Sequence, residues 1–115
     1  VTNSHHLELQ ANLPNEGQVS NLMEDAIVET PALVDGSGVH PIHVGALPDG
    51  LAALCNIQIM IQDLAVEAAY HGDRDIAMQA VLTDPVVHDL EAGKKAFEEL
   101  MEAHRDLLPQ FMEGP

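Results

Sequence analysis

From Asp49 to His71 no proline interrupts the chain, and Gly72 stands where a helix C-terminal cap would. Leu54, Ile57, Ile61, Leu64 and Ala68 recur at helical spacing, while Cys55, Ile59 and Val66 populate the other side. Asn56, Asp63 and Glu67 leave only a narrow polar strip. A helix apolar around most of its girth needs cover on two sides. The rest of the chain can cover one side, so the second is predicted to meet a larger body or another subunit. Asn56, Gln58, Gln62, Asp63 and Glu67 interrupt the run, and on that ground a membrane span is not expected.

Before this helix the chain reads as extended. Leu7, Leu9 and Ala11 alternate with Glu8 and Gln10, the period of a half-buried strand. Pro14, Asn15 and Gly17 tolerate turn dihedrals and mark a loop. A second strand is predicted from Ala26 to Val34, with Pro31 placing it at an edge or a bulge. Asp35-Gly36-Ser37-Gly38 supplies hairpin chemistry, and a return strand follows over Val39–Val44.

After Gly72, Asp73 is an N-cap for a short helix that Thr83-Asp84-Pro85 stops. A third helix is predicted from Asp89 to Leu108, with the stripe Leu90, Gly93, Phe97, Leu100, Met101, His104, Leu107 and Leu108. The expected fold is α+β: a small irregular antiparallel sheet followed by three helices. One domain is expected, with residues 1–48 as strands and loops and residues 49–111 helical.

Four basic against nineteen acidic side chains give a formal charge of -15. Nucleic acid is not an expected partner, because phosphates must be met by Lys and Arg. An anionic membrane surface is disfavoured for the same reason. The aromatic fraction is 3%, so the core must rest on aliphatic residues and methionine, and a partner surface would add to a marginal interior. Cys55 is the sole cysteine, which rules out an intrachain disulfide and, beside Leu54 and Ile57, reads as a buried thiol. No basic segment precedes an apolar run near Val1, and a cytoplasmic location is expected.

Local chemistry points to no self-contained active site. His40 and His43 lie three apart in a predicted strand, where side chains diverge, so they do not share an ion. His5 and His6 are adjacent and diverge as well. His104 sits on an apolar stripe, the place of a core or interface histidine. Ser4, Ser20 and Ser37 lack a nucleophile elbow, and no Gly-x-Gly-x-x-Gly follows a strand. No catalytic, cofactor-binding or metal-ligating residue is therefore expected in this chain.

The order of several short motifs adds a resemblance. Asn12, Pro14, Asn15, Gly17, Val19 and Asn21-Leu22 form a loop, followed by Ile27-Val28-Glu29-Thr30-Pro31, Gly38-Val39-His40-Pro41 and Val44-Gly45-Ala46-Leu47-Pro48. Glu67-Ala68-Ala69 with Gly72-Asp73, then Ala80 with Asp84-Pro85, continue the order. Together they resemble the C-terminal region of glycoside hydrolase family 4, the NAD- and manganese-dependent glycosidases, on the α-glucosidase and α-galactosidase side. Met23 departs from that pattern, which has a proline there.

The resemblance implies a parent enzyme with an N-terminal Rossmann domain and a C-terminal mixed domain. It implies redox-elimination chemistry in which NAD takes hydride from the sugar C3 and manganese polarises the resulting carbonyl. Those catalytic positions cannot be mapped onto this chain, so NAD and manganese are implied for the parent alone. The chain is then a C-terminal fragment, inactive alone, that contributes sugar-site shape and subunit contacts. Its expected partners are the remainder of the parent or further copies in a homo-oligomer. The alternative is a stand-alone interaction or oligomerisation module that has lost the catalytic domain. Substrate-proximal residues on the first reading are Asn15, Gly17 and Asn21: two amides suited to hydroxyl groups and a glycine that lets backbone approach. The competing role for the asparagines is to stabilise turns through their own side chains.

Overall fold

The computed structural model describes residues 7–112. The architecture is α+β, three antiparallel strands followed by three helices. The chain divides into two compact units, residues 1–56 and 57–115, with the division inside the first helix. His5 and His6 lie outside the described residues.

In the first unit, β1 (Leu7–Pro14), β2 (Ile27–Asp35) and β3 (Gly38–Pro41) form one sheet in the order β1-β2-β3. The β1–β2 register runs from Leu7 opposite Val34 to Pro14 opposite Ile27. Along β2, Val28, Thr30 and Ala32 are buried while Ile27, Glu29 and Leu33 are exposed, the alternation of a sheet with one covered face. Pro31 was expected at an edge or bulge, yet β2 is the central strand. The β2–β3 pairing covers only Ala32 to Asp35, and just beyond it the Pro31 carbonyl accepts from the Ile42 N–H at 2.9 Å. The missing proline N–H thus falls where the ladder runs out and strands no partner. β3 is shorter than expected, because the N–H groups of Val44 and Gly45 turn to the Gln18 carbonyl at 2.8 and 3.3 Å.

Helix α1 spans Asp49–His71. By length and composition it is long and apolar enough to cross a membrane, with an 18-residue window of mean hydropathy 1.3 that is only 11% buried. Five polar side chains, Asn56, Gln58, Gln62, Asp63 and Glu67, lie within the same helix. Three of them, Asn56, Gln58 and Gln62, are uncharged amides, and the two carboxylates are Asp63 and Glu67.

In the second unit, α1 ends at Gly72, whose φ of +69° lets the Asp73 N–H close on the Ala68 carbonyl at 3.0 Å. A Cβ at Gly72 would lie 2.1 Å from the Gln110 carbonyl oxygen, so only glycine admits that approach. Helices α2 (Arg74–Thr83) and α3 (Leu90–Ala103) start at the expected aspartates. Asp73 accepts from the N–H groups of Asp75 and Ile76 at 2.9 and 3.0 Å, and Asp89 from those of Glu91 and Ala92 at 2.9 and 3.1 Å. Ala68, Phe97, Met101 and Phe111 form the core, with Ile76, Ala77, Met78, Val81 and Leu108 packed around them.

α3 stops at Ala103 rather than Leu108. His104 caps it with φ -109° and ψ 15°, and two 3-10 turns, Arg105–Leu107 and Pro109–Phe111, carry Phe111 into the core. The departure from helix buries an aromatic that a straight continuation would carry onward. His104 is consequently exposed, and the buried stripe narrows to Gly93, Phe97 and Met101.

Candidate functional site

The loop between β1 and β2 is held by amide side chains that act as substitute backbone. Asn15 is 2% exposed. Its Nδ2 donates to the carbonyls of Val19 (3.0 Å), Leu22 (3.2 Å) and Met23 (3.0 Å), and its Oδ1 accepts from the Val19 N–H (3.0 Å). Its own N–H and C=O meet Ala26 and Asp25 at 2.8 and 3.1 Å. Every polar group of this residue is committed within the loop.

Gln18, also buried, donates to the Pro14 carbonyl at 2.6 Å and accepts from the Glu16 N–H. Asn21 pairs with Leu47 as one strand residue pairs with another, donating at 2.8 Å and accepting at 2.9 Å. Asn56 of α1 accepts from the Met23 N–H at 3.0 Å and donates to the Asn21 carbonyl at 3.1 Å. The loop is thereby tied to the segment before α1 and to the start of α1 itself. Two backbone positions complete it: Gly17 at φ +100° and Asp25 at φ +62°. The Gly17 carbonyl accepts from His43 Nδ1 at 2.9 Å, so that nitrogen carries the proton.

This framework borders an open cleft of about 270 Å³ lined by Asn15, Glu16, Gly17, Val19, Ser20, Leu22 and Glu24. Of the three residues expected near substrate, Asn15 and Gly17 line the cleft and Asn21 does not. The amides of Asn15 and Asn21 are engaged with backbone groups, and the exposed polar lining comes from Glu16, Ser20 and Glu24. A fixed backbone rim flanked by carboxylates and a hydroxyl suits a polyhydroxylated ligand.

The histidines go separate ways. His43 serves the loop, while His40 Nε2 lies 2.9 Å from Ser37 Oγ and 3.2 Å from Asp35 Oδ1. The Ser37 hydroxyl and N–H both donate to Asp35 Oδ1, and with His40 they hold the Asp35 carboxyl well below the usual carboxylate range. This trio is no hydrolytic triad. One histidine nitrogen faces both the serine and the aspartate, and the hydroxyl points at the carboxylate. It closes the β2–β3 turn. Cys55 is half-buried rather than fully buried. Among the described residues no group of three or more His, Cys, Asp or Glu side chains converges as a metal site.

Sequence reasoning missed Gln18 and Asn56. Asn56 read as an interruption in an apolar helix, and its partners are 33 and 35 residues away, beyond any local pattern. The Asp35–Ser37 turn was within reach, since an aspartate that bonds two residues ahead is an Asx-turn.

Residues 1–87 match the family 4 glycosyl hydrolase C-terminal domain. The chain is 41% identical over 92 residues to an alpha-glucosidase of Erwinia rhapontici, covering 80% of this chain and 20% of that enzyme. Among solved structures it resembles a 6-phospho-alpha-glucosidase from gut microorganisms in complex with NAD and glucose-6-phosphate, with a TM-score of 0.83 and 30% identity over 91% of this chain and 24% of that one. It also resembles the 6-phospho-beta glucosidase of Thermotoga maritima with manganese, NAD+ and glucose-6-phosphate, with a TM-score of 0.83 and 27% identity over 93% of this chain and 27% of that one. The chain spans about a fifth to a quarter of these relatives. With the sheet, the pinned loop, α1 and α2 all in the matched region, the chain belongs to glycoside hydrolase family 4, through its C-terminal domain.

Proposed function

We propose that this chain works as the C-terminal part of an NAD- and manganese-dependent glycosidase, where it shapes the rim of the sugar site and supplies subunit contacts. The observation that carries this reading is the family match over residues 1–87. Relatives that cover this chain at 27–30% identity have been solved with NAD, manganese and glucose-6-phosphate. The higher identity to an alpha-glucosidase, 41%, favours a non-phosphorylated α-glycoside as substrate. A cytoplasmic setting is part of the proposal, supported by a lone cysteine and no disulfide requirement.

The described residues do not by themselves fit either cofactor. No three metal-ligating side chains converge, and no glycine-rich strand-turn-helix is present to cradle a dinucleotide. On this reading the cofactors are held by residues outside the chain, and no chemical step is assigned to residues within it. The role left to the chain is geometric. The amide-pinned loop holds Gly17, Ser20 and the two glutamates of the cleft at fixed positions, where they can bound a sugar without reorganising.

Calorimetric titration of the chain with NAD and with manganese should show no specific micromolar binding, and an aryl α-glucoside should not turn over with both added. Micromolar NAD binding or turnover would overturn the reading. Weak, salt-sensitive manganese uptake would not, because an acidic surface attracts divalent cations. A reading frame upstream that encodes a Gly-rich strand-turn-helix and a Cys/His pair would support it.

A further inference from the structure

Residues 43–47 run parallel to the loop in one register: His43 lies opposite Gly17, Gly45 opposite Val19 and Leu47 opposite Asn21. In the middle of this strip the backbone makes the bonds. The Gln18 carbonyl accepts from the N–H groups of Val44 and Gly45 at 2.8 and 3.3 Å, and the Gly45 carbonyl accepts from the Ser20 N–H at 3.1 Å. At the two ends side chains take over. Asn21 makes both bonds to Leu47 at one end. At the other, His43 Nδ1 reaches the Gly17 carbonyl at 2.9 Å.

The Gly17 end is the one that can slip. Asn15 and Gln18 on either side are buried, while Gly17 is exposed and makes no other hydrogen bond among the described residues. Its φ of +100° is a region that glycine enters as readily as negative φ. Sterics therefore do not choose which way its carbonyl faces, and a donor must. The imidazole Nδ1–H is that donor in both the neutral and the protonated ring. The ring also lies against the residue it holds, since a Cβ on Gly17 would meet His43 Cε1 at 3.5 Å. Gly17 lines the cleft and His43 does not, so the histidine acts from behind the rim. We infer that His43 is a positioning residue of the cleft: it fixes the Gly17 peptide that a sugar meets, without touching the sugar. The inference rests on the sugar-rim reading and names the side chain that sets one edge of that rim.

The test compares three substitutions in the enzyme that carries this domain, with NAD and manganese, on an aryl α-glucoside. His43→Phe keeps a planar ring and removes the donor. His43→Asn keeps the donor, because its amide nitrogen falls where Nδ1 stands, whereas His43→Gln places that nitrogen near Nε2. His43→Phe should raise KM about fivefold, the worth of one hydrogen bond, with kcat unchanged. His43→Asn should restore KM and His43→Gln should not. Nitrogen NMR of the chain should show neutral His43 with its proton on Nδ1. Because His43 is exposed, thermal midpoints of the variants should stay where they are. A proton on Nε2, an unchanged KM in His43→Phe, or equal rescue by His43→Asn and His43→Gln overturns the inference and leaves the rim reading standing. A fall in kcat and thermal midpoint in all three variants overturns it too, by making His43 a structural residue alone. An unsubstituted enzyme that turns over neither the glucoside nor its 6-phosphate removes the rim reading, and the inference with it.

Discussion

The two units reach order by different physics. In the second, four apolar side chains close a core, Ala68, Phe97, Met101 and Phe111, and helix caps trim its ends. In the first, the largest fully buried side chains are Gln18 and Asn15, both polar. Their interior contribution is a set of hydrogen bonds that replaces a strand partner the loop does not have. Charge follows the same division. All four basic residues lie in the second unit and each has an acidic partner there, Arg74 with Glu98, Lys94 with Glu91, Lys95 with Glu99 and Arg105 with Glu102. Exposed pairs of this kind stabilise little, so the second unit depends on its apolar contacts. The first joins amide geometry to the small apolar side chains it buries, Val19, Val28, Ala32 and Ala52.

That contrast can be broken most decisively at Phe97. Phe97→Ala removes the centre of the second core, where Arg74 also stacks 5.7 Å from the ring centroid. Denaturant unfolding should show a loss of about 3–5 kcal/mol. A loss below about 1 kcal/mol would mean that the apolar cluster is not what holds that unit.

The first unit is tested at Asn15. Asn15→Ala leaves the carbonyls of Val19, Leu22 and Met23 and the N–H of Val19 without their present partner. The cost should be about 2–3 kcal/mol, because buried groups lose bonds that water cannot fully replace. Amide exchange at Val19 and Asp25 should speed up while amides of α3 keep their protection. Uniform loss of protection across both units would show them to be one cooperative body.

A smaller effect of opposite sign is expected at Thr30. Its buried hydroxyl has no hydrogen-bond partner among the described residues, on a strand whose neighbours Val28 and Ala32 are apolar and buried. Thr30→Val keeps the branched shape and removes the unpaired group, so thermal unfolding should shift upward by about 1 kcal/mol in stability. A destabilised variant would show that the hydroxyl has a partner in solution.

The least effect belongs to the β2–β3 turn. Asp35 is held below its ordinary pKa by the Ser37 hydroxyl first, then the Ser37 N–H and His40. A carboxylate depressed in the folded state adds stability above its unfolded pKa and loses it as pH falls through the folded one. The turn should therefore loosen only in acid, below about pH 4, the unfolded value for aspartate. Carboxyl chemical shifts should place Asp35 among the last carboxylates to protonate, and Ser37→Ala should move it back toward the ordinary range. An unmoved titration would remove Ser37 as the main cause.

What the sequence made legible was what is local. Asp73, Asp89 and Gly72 announced their helix ends because a cap involves residues within one turn. The alternation in β1 was visible because one covered face writes itself every second residue; that of β2, with Ile27 and Leu33 exposed, was not. Pro31 misled because its penalty depends on how far β3 extends, which only the pairing shows. The end of α3 misled because the gain from burying Phe111 outweighs continuing a helix that the local pattern permits. The loop's asparagines were visible as residues but not as a network, since Asn21 reaches Leu47 and Asn56 reaches back to Met23 across intervening strands. Family motifs marked the region without saying what its side chains bond.

The confinement of basic residues to the second unit has a practical reach. No lysine or arginine precedes Arg74, so trypsin has no site in the sheet, the pinned loop or α1. Lysine-directed crosslinkers and labels find no side-chain amine there either. Peptide maps and crosslinking surveys built on those reagents would report on α2 and α3 and be blind to the cleft and to α1. An acid-directed protease or a carboxyl-directed coupling, aimed at residues such as Glu16 and Glu24, would see the half that they miss.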